Sequence, residues 1–166
     1  MKIVKAQISD KSSILSLYQK VVAHQIKQNQ KQWDETDITW EALTAIYDID
    51  CFYIMKDQEQ IVAACIIGDE DPIYWPEVPK QESLYLHKLA VHPAYRKRHL
   101  ADELITFFKE QGKALNLADV RLDVRAYKTS LRALYERNGF TLVRTATIFD
   151  QYDTALYHYQ EEDIHA

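Results

Sequence analysis

Residues Leu84–Val91 constrain the fold of this chain more than any other stretch. Leu84, Tyr85, Leu86, Leu89, Ala90 and Val91 leave the run without a polar face, the pattern of a strand covered on both sides. His92 and Pro93 end it. Leu100, Leu104, Ile105, Phe107, Phe108 and Leu115 then recur at helical spacing, predicting a helix from about His99 to Leu115. Val120, Leu122 and Val124 next alternate with Arg121, Asp123 and Arg125, a half-buried strand. Strand, helix and strand in this order place the two strands parallel in one sheet.

The flanking chain adds antiparallel elements. Residues 2–7 read as a short strand, and Ser9 or Asp10 is placed to cap a helix carrying Ile14, Leu17, Tyr18, Val21, Val22 and Ile26. The polar residues 27–37 end that pattern, and a shorter helix is predicted from Trp40 to Tyr47. Residues 51–56 and 61–67, joined by a polar turn, read as a hairpin. Thr129 or Ser130 is placed to cap a helix that Asn138 and Gly139 close, and two strands follow, 140–148 and 154–159. The expected fold is therefore α/β, an α+β mixed sheet of six to seven strands with helices on both faces. At 166 residues it fits a single domain, 1–166.

Charge and cysteine usage narrow the function. A formal net charge of −5 counts against a nucleic-acid partner, which requires a basic face. Cys51 and Cys65 have no zinc-ligand spacing and make no disulfide framework, so no metal is expected and a reducing, cytoplasmic setting fits. No signal peptide and no apolar run of membrane-spanning length is visible, so no membrane partner is expected.

The chemistry concentrates after the buried strand. Arg96, Lys97 and Arg98 stand just ahead of a helix start, where free N–H groups and the helix dipole favour an anion. Two readings fit that charge pattern: a pyrophosphate site and a solvated basic turn. Only three glycines, Gly68, Gly112 and Gly139, are available in the whole chain, so a phosphate loop here must do almost without them.

This block and the order of elements resemble the GNAT superfamily of acetyl-CoA-dependent N-acetyltransferases, most closely over residues 83–140. The family's acetyl-CoA loop runs Arg/Gln-x-x-Gly-x-Gly/Ala. Arg96 matches its first position and Ala101 its last small residue, while His99 stands where the family has glycine. A second segment, Leu134, Tyr135, Glu136, Gly139 and Phe140, is similar to the family's Leu-Tyr-Glu-x-x-Gly-Phe. Lys128 replaces an asparagine that many members carry.

The resemblance implies an acetyl-CoA motif over 84–115, a second motif over 120–140, and acceptor-side elements over 10–50 and 69–82. It implies that Leu89, Ala90, Val91, Arg96, Lys97, Arg98, His99, Leu100, Ala101, Lys128 and Tyr135 contact acetyl-CoA as co-substrate. The Val91 N–H would face the oxyanion, and Tyr135 would protonate the departing thiolate. His87 interrupts the apolar strand with Tyr85 and Leu89 on its side by alternation, and an imidazole suits proton removal near neutral pH. It is the candidate base, with a water, Tyr85 and Glu82 as alternatives and a hydrogen-bonded core histidine as the bland reading. His92 reads as a strand end, and His24, His158 and His165 carry no cluster spacing.

Trp33, Trp40, Tyr74, Trp75 and Tyr85 are the aromatic candidates for the acceptor site, and Asp69, Glu70, Asp71 and Glu77 share the proline-rich loop. Aromatic and acidic groups together suit an amine cation; aromatic anchoring is the competing reading. Cys51 and Cys65 lie in apolar β runs and read as buried, inert thiols, so direct transfer in a ternary complex is expected. The expected activity is acetyl transfer to a primary amine of a small molecule or peptide. The alternatives are a CoA-binding regulatory module and a protein-interaction domain of the same fold without turnover. A homodimer is common in the family, though no seam for one is legible here.

Overall fold

The computed structural model describes residues 1–149 and 151–161; His165 lies outside the described residues. Among the described residues there are seven strands: β1 (Ile3–Lys5), β2 (Phe52–Asp57), β3 (Gln60–Gly68), β4 (Leu84–Val91), β5 (Val120–Arg125), β6 (Thr141–Ile148) and β7 (Tyr152–Tyr159). Four α-helices accompany them: α1 (Lys11–Lys27), α2 (Trp40–Leu43), α3 (Leu100–Ala114) and α4 (Thr129–Arg137). The strand order is β1-β2-β3-β4-β5-β7-β6. The β4–β5 pair is parallel and the hairpin pairs are antiparallel, so the sheet is mixed, as expected. Among the described residues, no helix is long and apolar enough to cross a membrane.

The chain forms two compact units, and β4 runs from one into the other at His87 and Lys88. The first unit comprises Met1–Ile66 and Lys88–Leu104. In it β1 pairs with β2 from Ile3↔Met55 to Lys5↔Tyr53, and β2 with β3 from Phe52↔Ile66 to Asp57↔Gln60. The His92 N–H donates to the Val62 carbonyl at 2.7 Å, joining the end of β4 to β3. The stripe Ile14, Leu17, Tyr18, Val21 and Val22 of α1 is buried against Phe52, Ile54, Ile66 and Ala90. Each large aliphatic side chain so buried contributes about 1.5–3 kcal/mol.

Two local expectations are met only in part, for identifiable reasons. Asp10 is the N-cap residue of α1 but makes no side-chain cap bond: its carboxylate accepts the Gln7 N–H at 2.9 Å and pairs with Lys56 at 3.1 Å, and a 3₁₀ turn over Ile8–Asp10 precedes the helix. The helix expected up to Tyr47 stops at Leu43, where the Thr44 hydroxyl donates to the Trp40 carbonyl at 2.6 Å.

The second unit comprises Ile67–His87 and the chain from Ile105. β4 begins in it, parallel to β5 over Leu84↔Val120 to Leu86↔Leu122; β7 then pairs with both β5 and β6. Phe108 stacks on Phe140 at 6.2 Å, and Gly112 of α3 brings its backbone against Val120 so closely that a Cβ there would overlap the Val120 side chain. Gly139 takes φ +91° after α4, the left-handed turn expected of it. Lys128, without a side-chain cap bond, occupies the α4 N-cap in place of Thr129 or Ser130. β6 is outermost, and its ladder is irregular between Leu142 and Arg144.

Candidate active site

In the first unit, Lys88 sits within β4 at φ +53°, a conformation that lysine seldom adopts. Its carbonyl accepts the buried Tyr18 hydroxyl at 2.6 Å. The strict alternation expected through Tyr85, His87 and Leu89 therefore ends at His87. Beyond the irregularity, Ala90 is buried while Leu89 and Val91 are half-buried. The His92 Nδ1 accepts the Ala94 N–H at 3.0 Å and starts a 3₁₀ turn over Pro93–Tyr95. Burial first, and Lys20 second, hold the His92 imidazole below its usual range, which keeps that nitrogen an acceptor.

The basic loop follows. Arg96 is extended, and its Nη1 donates to His24 Nε2 at 2.8 Å. The Arg98 guanidinium lies 4.7 Å over the Tyr95 ring, whose hydroxyl donates to Asp57 at 2.6 Å. Lys97 and His99 both take left-handed conformations, φ +65° and +60°. Such residues turn successive N–H groups into a concave row that suits an anion. The backbone at His99 thus keeps the conformation that glycine favours. Its side chain is 80% exposed and its Nδ1 lies 3.5 Å from Asp102. The Glu103 N–H bonds to the His99 carbonyl at 3.1 Å, so α3 begins directly from this loop, with Leu100 buried and Ala101 half-buried.

A second constellation lies in the other unit. Asp71 is 3% exposed. Its Oδ1 accepts the N–H groups of Ile73 at 3.1 Å and Tyr74 at 2.9 Å, folding the proline-rich loop around the carboxylate. Its Oδ2 lies 3.3 Å from His87 Nε2, while His87 Nδ1 lies 3.5 Å from Asp123 Oδ1 on β5. One imidazole thus stands between two carboxylates. His87 and Asp123 are partly exposed, with side chains 14% and 18% accessible.

The neighbouring charges are engaged elsewhere. Asp119 accepts from Arg121 Nε at 2.8 Å and from the Ser83 hydroxyl at 3.0 Å, and Arg144 pairs with Glu77 at 2.5 Å. Both guanidiniums lie 4.9 Å over the Trp75 ring. Glu70 pairs with Lys80 at 3.7 Å.

Several predicted site residues are used in packing. Trp33 is buried in the first unit, edge-on to Tyr18 at 5.7 Å. Trp75 and Tyr85 are buried in the second, with Tyr74 packed beside them. Burial pushes the Tyr85 hydroxyl above its usual range, which removes its appeal as a base at neutral pH. Glu82 is exposed. Tyr135 on α4 is 5% exposed and edge-on to Phe140 at 6.0 Å. Lys128 is half-buried, and desolvation followed by Arg125 holds its ammonium below the usual range. Cys65 is buried, which pushes its thiol far up; Cys51 is half-buried rather than buried, 3.8 Å from Asp50.

Sequence reasoning placed His87 and named Asp71 among the loop acids, but it missed their pairing and missed Asp123. The available signal was Asp123 on the polar side of β5.

The acetyltransferase (GNAT) family model matches residues 16–140. No curated protein matches the sequence. Among solved structures, an acetyltransferase of the GNAT family from Listeria monocytogenes 4b F2365 superposes with a TM-score of 0.76 at 20% identity, over 96% of this chain and 94% of its own. The PaiA N-acetyltransferase of Thermoplasma acidophilum, in complex with coenzyme A, gives 0.74 at 14% identity over 96% and 98%. The yncA protein of Salmonella typhimurium, with its cofactor acetyl-CoA, gives 0.65 at 15% identity over 100% and 96%.

Proposed function

The chain belongs to the acetyltransferase (GNAT) family and is an acyltransferase; from that premise we propose that it moves the acetyl group of acetyl-CoA to a primary amine of a small molecule or peptide, by direct attack in a ternary complex. The observation that carries this reading is the left-handed His99 backbone in a basic loop that opens α3, with the imidazole turned out to solvent. Arg96, Lys97 and Arg98 supply cations there, and the N–H groups from His99 to Ala101 face the pyrophosphate. Bound acetyl-CoA supplies the activated thioester.

The other roles follow from the chain's own groups. The backbone of Leu89, Ala90 and Val91 takes the amides of the pantetheine arm, with the Val91 N–H toward the carbonyl oxygen, where losing one donor typically costs about 10²–10³ in rate. Lys128 occupies the sequence position of the family's asparagine. His87 takes a proton from the arriving ammonium and leaves the amine lone pair free. The nitrogen then bonds to the acetyl carbon, the carbon–sulfur bond breaks, and Tyr135 gives its hydroxyl proton to the thiolate. The second amine proton leaves to solvent and Tyr135 is reprotonated, for a net release of one proton per ammonium consumed. Cys65, with its thiol held protonated by burial, supports transfer without an acyl-enzyme. Two free cysteines fit a cytoplasmic enzyme.

The test is calorimetric titration with acetyl-CoA, followed by thiol release over an amine panel. Micromolar binding that weakens in Arg96→Ala, together with amine-dependent release, supports the reading. Absence of binding at millimolar acetyl-CoA overturns it.

A further inference from the structure

The basic loop that opens α3 is tied down from outside itself. No glycine lies between Gly68 and Gly112, so the left-handed residues Lys97 and His99 gain no conformational ease from a missing side chain. Side chains reaching two other elements hold the loop instead. The Tyr95 hydroxyl donates to Asp57, the last residue of β2, at 2.6 Å. The Arg96 Nη1 donates to Nε2 of His24, in the last turn of α1, at 2.8 Å. The two tethers start from adjacent residues and end on different elements.

The Arg96 tether has a definite chemistry. A guanidinium only donates, so His24 Nε2 is the acceptor, and the ring is neutral with its proton on Nδ1. The bond occupies one of five N–H donors. The edge formed by Nε and Nη2, which can meet a phosphate with two parallel bonds, is left intact. An arginine side chain has many rotamers, and one already held surrenders less freedom when its ligand arrives.

We propose that His24 is a positioning residue for cofactor binding: it holds the Arg96 guanidinium in place and leaves its Nε–Nη2 edge for the pyrophosphate before acetyl-CoA arrives. This rests on the acetyl-CoA reading above. His24 acts through the arginine alone, because its one acceptor nitrogen is taken by Arg96. The helix assigned by resemblance to the acceptor side thereby also serves the cofactor, and part of the work that glycine does in the family's loop passes to a histidine 72 residues away.

The experiment titrates five proteins with acetyl-CoA by calorimetry: the wild type, His24→Ala, His24→Gln, Arg96→Ala and the double variant His24→Ala with Arg96→Ala. Tm is measured for each. His24→Ala is expected to weaken binding about three- to tenfold, the scale of one hydrogen bond, with Tm kept. Glutamine carries an acceptor oxygen and is expected to recover most of that loss. With alanine already at 96, His24→Ala should cost less than about twofold, since no guanidinium remains to be held. A second readout is the ¹⁵N spectrum of the His24 ring in cofactor-free protein in alkaline buffer. An unprotonated Nε2 is expected in the wild type, and its signature should be lost in Arg96→Ala.

Three results overturn the positioning role while the pyrophosphate site stands: Arg96→Ala weakens binding and His24→Ala does not, glutamine recovers nothing, or the two losses add in full. A wild-type ring protonated on Nε2 overturns it as well. Binding that ignores Arg96→Ala removes Arg96 from the pyrophosphate and His24 with it. No binding at millimolar acetyl-CoA overturns both readings.

Discussion

The Tyr18 hydroxyl donates to the Lys88 carbonyl at 2.6 Å, across 70 residues of sequence, at the point where β4 turns left-handed. An extended strand would send that carbonyl into a ladder. Here a buried tyrosine on α1 satisfies it instead, and burial keeps the phenol protonated by raising it well above its usual range.

Removing that donor isolates a partly buried carbonyl. Tyr18→Phe is expected to lose about 1–3 kcal/mol of stability in urea unfolding, with little change in m-value. An unchanged midpoint would show that the turn at Lys88 holds itself.

The backbone at His99 already adopts the conformation glycine prefers, and its ring is 80% exposed. His99→Gly should therefore alter acetyl-CoA affinity by less than about threefold. His99→Val, β-branched at φ +60°, should weaken it and lower Tm, since strain of this kind costs about 1–3 kcal/mol. Calorimetry on both variants checks the pair.

At Gly112 a methyl group would overlap Val120. Gly112→Ala should destabilise the protein by about 1–3 kcal/mol even though alanine is the better helix former. Adding Val120→Ala should recover part of the overlap cost, read as the coupling in a double-mutant cycle.

His92 titrates below its usual 6.5 because burial and Lys20 oppose its charged form. With the folded pKa depressed, the unfolded chain binds the proton more readily, so this group's stabilisation is complete above 6.5 and declines as pH falls below it. His92→Asn keeps an acceptor near the Ala94 N–H and should flatten the fall of Tm on the acid side of pH 6.5. An equally steep fall would place the titration elsewhere.

If Tyr135 gives the thiolate its proton, Tyr135→Phe should lower kcat about 10²-fold with acetyl-CoA affinity kept, because the missing group acts on the leaving sulfur. Full turnover at every pH would remove Tyr135 from that role.

The elements that positioned the site were legible because their patterns were strong. The largely apolar run Leu84–Val91 and the helical stripe of α3 were placed to within a residue of their observed limits. The left-handed turn at Lys88 was not, because nothing local to a lysine requests it; the partner that fixes it lies on α1. Asp123 read as an outward polar residue of a half-buried strand. Its place beside His87 depends on the parallel register Leu86↔Leu122, which sequence periodicity does not report. Trp33 and Trp75 were candidates for ligand contact because large aromatics serve cores and pockets alike, and only burial separates the two uses.

The irregular ladder of β6 bears on how the protein behaves among its own copies. An outermost strand of eight residues, with Leu142 and Val143 exposed, offers a row of peptide groups onto which a stray strand could add. Between Leu142↔Tyr157 and Arg144↔Leu156, Val143 is an extra residue that bends the strand and breaks the repeat of that row. A visiting chain loses register at the break after a few bonds. The break in the ladder thus disfavours growth by strand addition along β6.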